Sequence, residues 1–252
     1  FKHYVKKFIY WKKILYLKMN YKNKIIALIP ARGGSQEIKN KNMLRIKGKP
    51  LIYYTIREAK KCKLINEIYV SSENKKILKY SESQKVRTIT RPKNFSLKKS
   101  HPKLLVSHFI TFLKKNNYRL NDIIIYLQPT SPLRNKSDIT NTIKIMKKTK
   151  IYKCLSVTEN KKTIFKSLYL KNKTLRSVFD KKYLNLRRQD LKKTYYINGA
   201  IFAFSIKEFI KNMNFPSQNS NAYIMNEKAS LDLDTKNDLK KLKKIIKWKI
   251  IL

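Results

Sequence analysis

The sequence predicts an α/β fold in which helices flank a doubly wound, mostly parallel sheet. Strand and helix patterns alternate along most of the chain, and the strand patterns are short apolar runs typical of sheets buried on both faces. In such sheets, ligands bind beyond the carboxyl ends of the strands. The 252 residues suffice for one sizeable domain of this class with a small appended subdomain.

The predicted strands are rich in Ile, Val and Tyr, which favour extended structure. They cover residues 25–29, 68–71, 86–88, 123–127, 153–158 and 200–204. The predicted helices lie between and after them, at residues 51–62, 75–83, 102–116, 138–148, 206–212 and 236–249. The alternation breaks between residues 161 and 196, an interval that contains the polar string 181–193.

The loop after the first strand has the composition of a phosphate-binding loop. The two glycines of residues 31–35 let backbone N–H groups turn toward one point, and Ser35 adds a hydroxyl donor. Arg32, Lys39 and Lys41 supply the positive charge that a triphosphate requires. Neither GxxxxGK[ST] nor GxGxxG is present, so the usual NTPase and dinucleotide motifs are excluded. The alternative is a plain strand-to-helix turn with solvated lysines.

Two carboxylates near the C-terminus form a candidate metal site. Asp232 and Asp234 are two residues apart, so both side chains point to one side if residues 230–234 are extended. Mg²⁺ binds through one or two carboxylates and takes its other ligands from water and substrate phosphates. The alternative is that this stretch caps the final helix, with Asp234 or Thr235 as the cap, and both descriptions can hold together.

The strongly positive charge does not by itself predict nucleic-acid binding. The chain has 60 Lys and Arg against 15 Asp and Glu, for a net charge of +45. The lysines are spread over nearly every segment together with Ile, Asn and Tyr, which AT-rich codons also specify, and no RRM, KH, zinc-finger or helix-turn-helix signature is present. A basic nucleic-acid-binding protein is therefore the third-ranked hypothesis, and no specific nucleic-acid partner is expected.

The remaining composition predicts a protein of the reducing cytoplasm. Cys62 and Cys154 are far apart and outside any metal-binding spacing, so neither a zinc site nor a disulfide framework is indicated. No run of eighteen apolar residues is present, so no membrane span is expected. Because Met19 stands just before the first strand, residues 1–18 are expected to be upstream sequence, and residues 1–22 an N-terminal extension outside the core.

A series of collinear segments carries a family resemblance. They are PARGGS at 30–35, KN at 41–42, GKPL at 48–51, YVSSE at 69–73, RP at 91–92, LQPTSPLR at 127–134, RQDL at 188–191, NGAIF at 198–202 and SLDLDT at 230–235. In this order they resemble the CMP-sialic acid synthetase (acylneuraminate cytidylyltransferase) family, from about residue 24 to the C-terminal helix. The KN spacer is absent from the related CMP-Kdo synthetases, which favours the sialic-acid type.

The resemblance implies a fold, a reaction and an assembly. The fold is a Rossmann-like sheet of the nucleotidyltransferase type, with a cytidylyltransferase domain at residues 23–252 and an inserted dimerisation subdomain at 161–196. The reaction transfers CMP from CTP to the anomeric hydroxyl of a nonulosonic acid such as N-acetylneuraminic acid, releases pyrophosphate and requires Mg²⁺ or Mn²⁺. The product is a CMP-sugar for surface glycan synthesis. The assembly is a homodimer in which each subdomain lends residues to the partner's site.

The resemblance also assigns roles to individual residues. The catalytic residues are Arg32, Lys41, Asp232 and Asp234, and the two aspartates hold the metal. The residues assigned to CTP are Arg32, Ser35, Gln36, Lys41, Asn42 and Arg91, with Asn42 and Arg91 on the nucleoside side. The residues assigned to the sugar acid are Gln128, Arg188, Lys166 and Asn198. Two alternatives stay open, namely a solvated Lys166 and a purely structural Asn198 in the turn before Gly199.

The sequence departs from the family pattern at two places. Gln36 replaces a lysine that faces phosphate, and residues 98–102 carry Lys-Lys-Ser-His-Pro where the family has acidic and small residues. These departures leave open a non-catalytic relic or sugar-nucleotide-binding member of the family. A CMP-pseudaminic or CMP-legionaminic acid synthetase is also open, because the sequence does not choose among the nonulosonic acids.

Overall fold

The structure is a computed structural model that describes residues 23–35, 37–97 and 99–248. The predicted N-terminal extension at residues 1–22 lies outside these ranges, as do Gln36 and Lys98. No helix within the described ranges is long and apolar enough to cross a membrane.

Strands and helices alternate along the chain, as the sequence predicts. The strands are β1 (Ile25–Pro30), β2 (Arg45–Ile46), β3 (Lys49–Pro50), β4 (Glu67–Ser72), β5 (Arg87–Thr90), β6 (Ile123–Leu127), β7 (Lys153–Glu159), β8 (Leu168–Lys171), β9 (Thr174–Ser177), β10 (Tyr195–Ser205) and β11 (Asn221–Ile224). The helices are α1 (Leu51–Lys61), α2 (Lys75–Ser83), α3 (Pro102–Lys115), α4 (Lys136–Thr149), α5 (Ile206–Asn212) and α6 (Lys236–Trp248).

Seven of these strands form the central sheet, in the order β11-β7-β10-β6-β1-β4-β5. Neighbouring strands pair in parallel, except that β10 is antiparallel to both β6 and β7. The prediction of a mostly parallel sheet is therefore confirmed. The carboxyl ends of β1, β4, β5 and β6 meet at one edge, and their loops form the candidate site.

Helices cover both faces of the sheet because successive strand side chains point to opposite faces. In β1 the side chains of Ile25, Ala27 and Ile29 belong to a core cluster that α1, α2 and α4 complete. Ile26 and Leu28 belong to a second cluster that α3 and α5 complete. All five residues are buried, so β1 is a central strand and the doubly wound arrangement is confirmed.

The interval that breaks the alternation contains a small hairpin that the sequence analysis does not predict. Strands β8 and β9 pair antiparallel through a turn in which Asn172 and Lys173 have φ angles of 48° and 63°. Nearly every side chain of the hairpin is exposed, so no buried face imposes a pattern on its sequence. The hairpin and several short 3-10 turns occupy most of the predicted subdomain at 161–196.

Strand β10 is longer than predicted because it contains an irregularity. Its pairing register with β7 shifts between Ile197 and Phe202, and Gly199 between them has a φ of 74°. The left-handed backbone at this position favours glycine. The irregularity carries residues 197–199 to the edge of the candidate site.

Candidate active site

A cavity of about 580 Å³ lies at the carboxyl ends of the parallel strands. Pro30 ends β1, Arg91 follows β5 and Gln128 follows β6, so three strand ends converge on it. The predicted site residues that line the cavity are Arg32, Ser35, Lys41, Asn42, Arg91, Gln128, Asn198, Asp232 and Asp234. The cavity therefore brings together segments that are up to two hundred residues apart in the chain.

The predicted phosphate-binding loop, residues 31–35, presents to the cavity a cation that no described residue pairs. The side chains of Arg32 and Ser35 line the cavity and have no hydrogen bond or ion pair with any described residue. The Gly33 N–H is not available to a phosphate, because it donates to Glu73 Oε1 at 2.6 Å. A Cβ atom at Gly33 would lie 2.5 Å from Asn74 Nδ2, so a close approach to Asn74 explains this glycine.

The next two predicted residues brace the cavity wall. Lys41 Nζ donates to Asp234 Oδ1 at 2.8 Å and to the Leu233 carbonyl at 2.9 Å. Asn42 is buried, and its Nδ2 donates to the Arg32 carbonyl at 2.9 Å. Asn42 therefore holds the phosphate-binding loop in place, whereas Lys41 sets a positive charge beside the predicted metal ligands.

Asp232 has an unsatisfied carboxylate oxygen. Its Oδ1 is buried and has no hydrogen-bond partner among the described residues. Burial raises the pKa of Asp232, and a hydrogen bond from Thr130 and the charge of Lys41 oppose this, while the charge of Asp234 adds to it. A buried carboxylate oxygen without a hydrogen-bond donor is costly, and a hard cation such as Mg²⁺ binds such oxygens.

The aspartate pair fits Mg²⁺ or Mn²⁺ as a partial site. No group of three or more His, Cys, Asp or Glu side chains converges within the described ranges, so an ion would take its other ligands from phosphate and water. The helix-capping alternative holds at the same time, with Thr235 as the cap. Thr235 caps α6, since its hydroxyl accepts from the Asp238 N–H at 3.2 Å and Asp238 accepts from the Thr235 N–H at 2.9 Å.

Glu73 lies between the two loops that would contact the nucleotide. Its Oε1 accepts from the Gly33 N–H, and its Oε2 accepts from Ser96 Oγ at 2.6 Å and from Arg91 Nε at 3.1 Å. Burial alone would raise the pKa of Glu73, but the hydrogen bonds from Ser96 and Gly33 together with the charge of Arg91 outweigh it and lower the pKa. Arg91 itself is buried, and its Nη2 has no partner among the described residues.

The opposite wall is formed by Gln128 and the irregular part of β10. The Gln128 side-chain amide has no hydrogen-bond partner within the described part of the chain, and a Cβ at Gly199 would lie 3.1 Å from its Oε1. Asn198 is buried and its amide group is fully used. Its partners are the hydroxyls of Ser156, Thr158 and Ser230 and the N–H of Ala200. These bonds favour the structural role for Asn198, whereas the Gln128 amide is free of described partners.

Arg134 stabilises this wall through hydrogen bonds to its backbone. It is 1% exposed, and its guanidinium donates to the carbonyls of Gln128 at 3.0 Å and Ala200 at 2.7 Å and to Thr55 Oγ1 at 2.7 Å. Burial lowers the pKa of Arg134 to about 10, and two nearby carboxylates oppose this shift. Sequence analysis did not assign Arg134 a role, although it ends the LQPTSPLR segment.

Arg188 and Lys166, both assigned to the sugar acid, lie outside this cavity. Arg188 lies in a separate groove with Asn160 and Thr163, and its guanidinium donates to the Lys161 carbonyl. Lys166 is exposed in the 3-10 turn Ile164–Lys166. Within one copy of the chain neither residue lines the cavity. Their contact with a sugar therefore stays a prediction.

Comparison with known proteins defines the class of the protein. A family model described as Cytidylyltransferase matches residues 26–251. The chain belongs to this cytidylyltransferase family.

Two relatives are similar over most of the chain. The N-acylneuraminate cytidylyltransferase of Escherichia coli O18:K1:H7 is 31% identical over 218 residues, which cover 86% of this chain and 51% of the relative. The pseudaminic acid cytidylyltransferase of Campylobacter jejuni serotype O:23/36 is 29% identical over 217 residues, which cover 86% of this chain and 93% of the relative. The chain thus spans about half the length of the first relative.

A solved structure supports the fold assignment. CMP:2-keto-3-deoxy-manno-octonic acid synthetase complexed with CTP superposes with a TM-score of 0.65 and 14% sequence identity, over 90% of this chain and 100% of that chain. At this identity the likeness concerns the fold alone, which is the predicted nucleotidyltransferase type.

Proposed function

We propose that this chain transfers CMP from CTP to the anomeric hydroxyl of a nonulosonic acid and releases pyrophosphate. The observation that carries the proposal is that one cavity is lined both by Arg32, whose guanidinium no described residue pairs, and by Asp232, whose Oδ1 has no partner among the described residues. A triphosphate chelated to a divalent cation complements both groups. Membership in the cytidylyltransferase family supports CTP as the nucleotide.

In this reaction the hydroxyl oxygen attacks the α-phosphorus while the bond to the β-phosphate oxygen breaks. Pyrophosphate leaves with the bonding electrons, and the hydroxyl proton passes to solvent or to a base. Negative charge builds on the phosphoryl oxygens, so catalysis depends on positioning and on positive charge. Arg32 is free to meet the triphosphate, and Lys41 can exchange its bond to Asp234 for one to phosphate.

Asp232 and Asp234 would hold Mg²⁺ or Mn²⁺. The bound ion would neutralise charge on the phosphate oxygens of CTP. Asp232 would supply a buried oxygen that no other described residue contacts by a hydrogen bond, and Asp234 an exposed one now paired with Lys41.

The sugar acid would be bound by Gln128, with Arg188 and Lys166 supplied by a second copy of the chain. This part of the proposal rests on two features of residues 161–196. The β8–β9 hairpin exposes a row of apolar side chains. Arg188 and Lys166 both lie outside the cavity of the chain to which they belong. An arginine suits the carboxylate of a sugar acid because its guanidinium binds in bidentate fashion.

Several nonulosonic acids of similar structure are candidates for the acid substrate. Relatives that act on N-acylneuraminate and on pseudaminic acid have nearly the same identity to this chain. We therefore propose nonulosonic acids as the substrate class, with N-acetylneuraminic acid as the first candidate.

The test is release of pyrophosphate from CTP with a panel of acids, namely N-acetylneuraminic, pseudaminic, legionaminic and 3-deoxy-manno-octulosonic acid. We expect release with at least one of the first three and little with the last. ATP, GTP and UTP are the nucleotide controls. CTP binding without turnover for any acid would contradict the proposal and support the non-catalytic alternative.

A further inference from the structure

One carboxylate connects the two loops that would contact CTP. The phosphate-binding loop follows β1, and the nucleoside loop, residues 91–97, follows β5. Glu73 follows β4, which lies between these strands in the sheet, and receives one hydrogen bond from the first loop and two from the second. No hydrogen bond joins the two loops directly among the described residues.

The groups that Glu73 holds are next to the cavity, whereas Glu73 is not among the cavity-lining residues. Arg91 and Ser96 line the cavity, and Gly33 lies between the cavity residues Arg32 and Ser35. The Glu73 side chain is 16% exposed, so water competes weakly for its bonds. By binding Arg91 through Nε, Glu73 leaves the unpartnered Nη2 of the same guanidinium as a donor.

We propose that Glu73 is a positioning residue that fixes the distance between the phosphate-binding loop and the nucleoside loop. CTP then meets both loops in their binding geometry and does not have to order them. The inference rests on the proposed function, because it assigns triphosphate and nucleoside to these loops.

The expected kinetic effect of losing this connection is on nucleotide binding. The bonds of Glu73 lie within the protein and are the same before and during the reaction, so they support ground state and transition state equally. Removing such uniform binding raises KM and changes kcat little. Loss of a charge-assisted hydrogen bond between two loops predicts an increase in KM for CTP of about tenfold.

The test compares Glu73→Gln with Glu67→Gln. Glu67 begins the same strand that Glu73 follows, is 14% exposed, and accepts hydrogen bonds from Lys24, Tyr69, Tyr118 and Arg87. Both substitutions thus remove the charge of a partly buried, multiply bonded glutamate. We expect Glu73→Gln to raise KM for CTP about tenfold with KM for the acid within twofold, and Glu67→Gln to change neither.

Ser96→Ala alone provides a second measurement that does not depend on the folding of Glu73→Gln, and the double variant completes a mutant cycle. Ser96→Ala removes the bond that a half-buried side chain makes to Glu73 and should raise KM for CTP by itself. Its effect should be less than additive with that of Glu73→Gln. A lower melting temperature with unchanged KM for CTP in both variants would overturn the inference. Wild-type protein that fails to bind CTP in calorimetry would overturn the proposed function as well, which separates the two failures.

Discussion

At the scale of single residues, Asp232 has a buried carboxylate oxygen that no described residue contacts by a hydrogen bond. A group in this state opposes folding and is retained for a ligand. We predict that Asp232→Asn lowers turnover by orders of magnitude while the free energy of unfolding stays the same or rises. Pyrophosphate release and thermal denaturation measure the two quantities.

The matched control for this prediction is Asp238→Asn. Asp238 lies six residues further on and caps α6 through Thr235. Its substitution should lower the unfolding free energy by about 1 kcal/mol and leave turnover unchanged. Full turnover of Asp232→Asn would refute the metal assignment.

The two glycines of the phosphate-binding loop provide a second residue-scale prediction. A Cβ at Gly33 would meet Asn74 at 2.5 Å, whereas Gly34 has no atom within 4 Å of its Cβ position. Asn74 cannot move easily, because its Oδ1 caps α2 through the N–H groups of Lys76 and Ile77. We predict that Gly33→Ala costs about 1–3 kcal/mol of stability and that Gly34→Ala costs less than about 0.5 kcal/mol. Chemical denaturation of both variants checks this, and equal losses would contradict it.

The sequence was sufficient to predict many of the residues that line the cavity. It was less informative about the contacts that each of them makes. Arg32, Lys41, Asp232 and Asp234 all reach it, since each lies in a loop at a strand end or next to a helix start. The bonds of Asn42 and Asn198 within the protein were not predictable, because the partner of Asn42 lies across a loop of irregular structure and those of Asn198 come from distant segments. Glu73 was visible only as the end of the YVSSE segment, and nothing local indicates that it contacts Gly33 and Arg91.

At the scale of elements, Arg134 connects α1, the loop after β6 and strand β10. We predict that Arg134→Met lowers the unfolding free energy by about 3 kcal/mol, because it removes the buried guanidinium that donates to the carbonyls of Gln128 and Ala200 and to the Thr55 hydroxyl. Arg45→Met is the control, since Arg45 is exposed and makes one long bond to the Gly48 carbonyl at 3.4 Å. A smaller loss at Arg134 than at Arg45 would contradict this role.

Local signals were sufficient for the helices and for most buried strands, and insufficient for the irregular half of β10, the exposed hairpin and the shortest strands. The buried run of β6 and the apolar face of α3 were predicted within a residue of their bounds. Helix α4 begins at Lys136, two residues before the predicted start, because Asn135 and Asp138 form a capping box. The short strand β11 pairs only at the sheet edge, and its sequence carries no strong strand pattern.

At the scale of the whole molecule, residues 161–196 present an apolar surface. Leu170 and Leu175 pair across the β8–β9 hairpin and are 69% and 64% exposed. We predict that this surface is the interface of a homodimer. Leu170→Lys or Leu175→Lys should therefore yield a monomer with low turnover. Sedimentation or light scattering measures the mass.

The control is Leu120→Lys, because Leu120 is 50% exposed and lies outside residues 161–196. It should leave both mass and turnover unchanged. A wild-type monomer with full turnover would contradict the dimer and the assignment of Arg188 and Lys166 to the sugar.

The central claim is that this chain joins CMP to a nonulosonic acid, and phosphorus-31 NMR tests it most directly. With CTP, Mg²⁺ and N-acetylneuraminic, pseudaminic or legionaminic acid, we predict that the triphosphate signals are replaced by equal amounts of one phosphodiester and pyrophosphate. The reaction should stop in excess EDTA. Unchanged CTP with every acid, or hydrolysis of CTP without a phosphodiester product, would contradict the account.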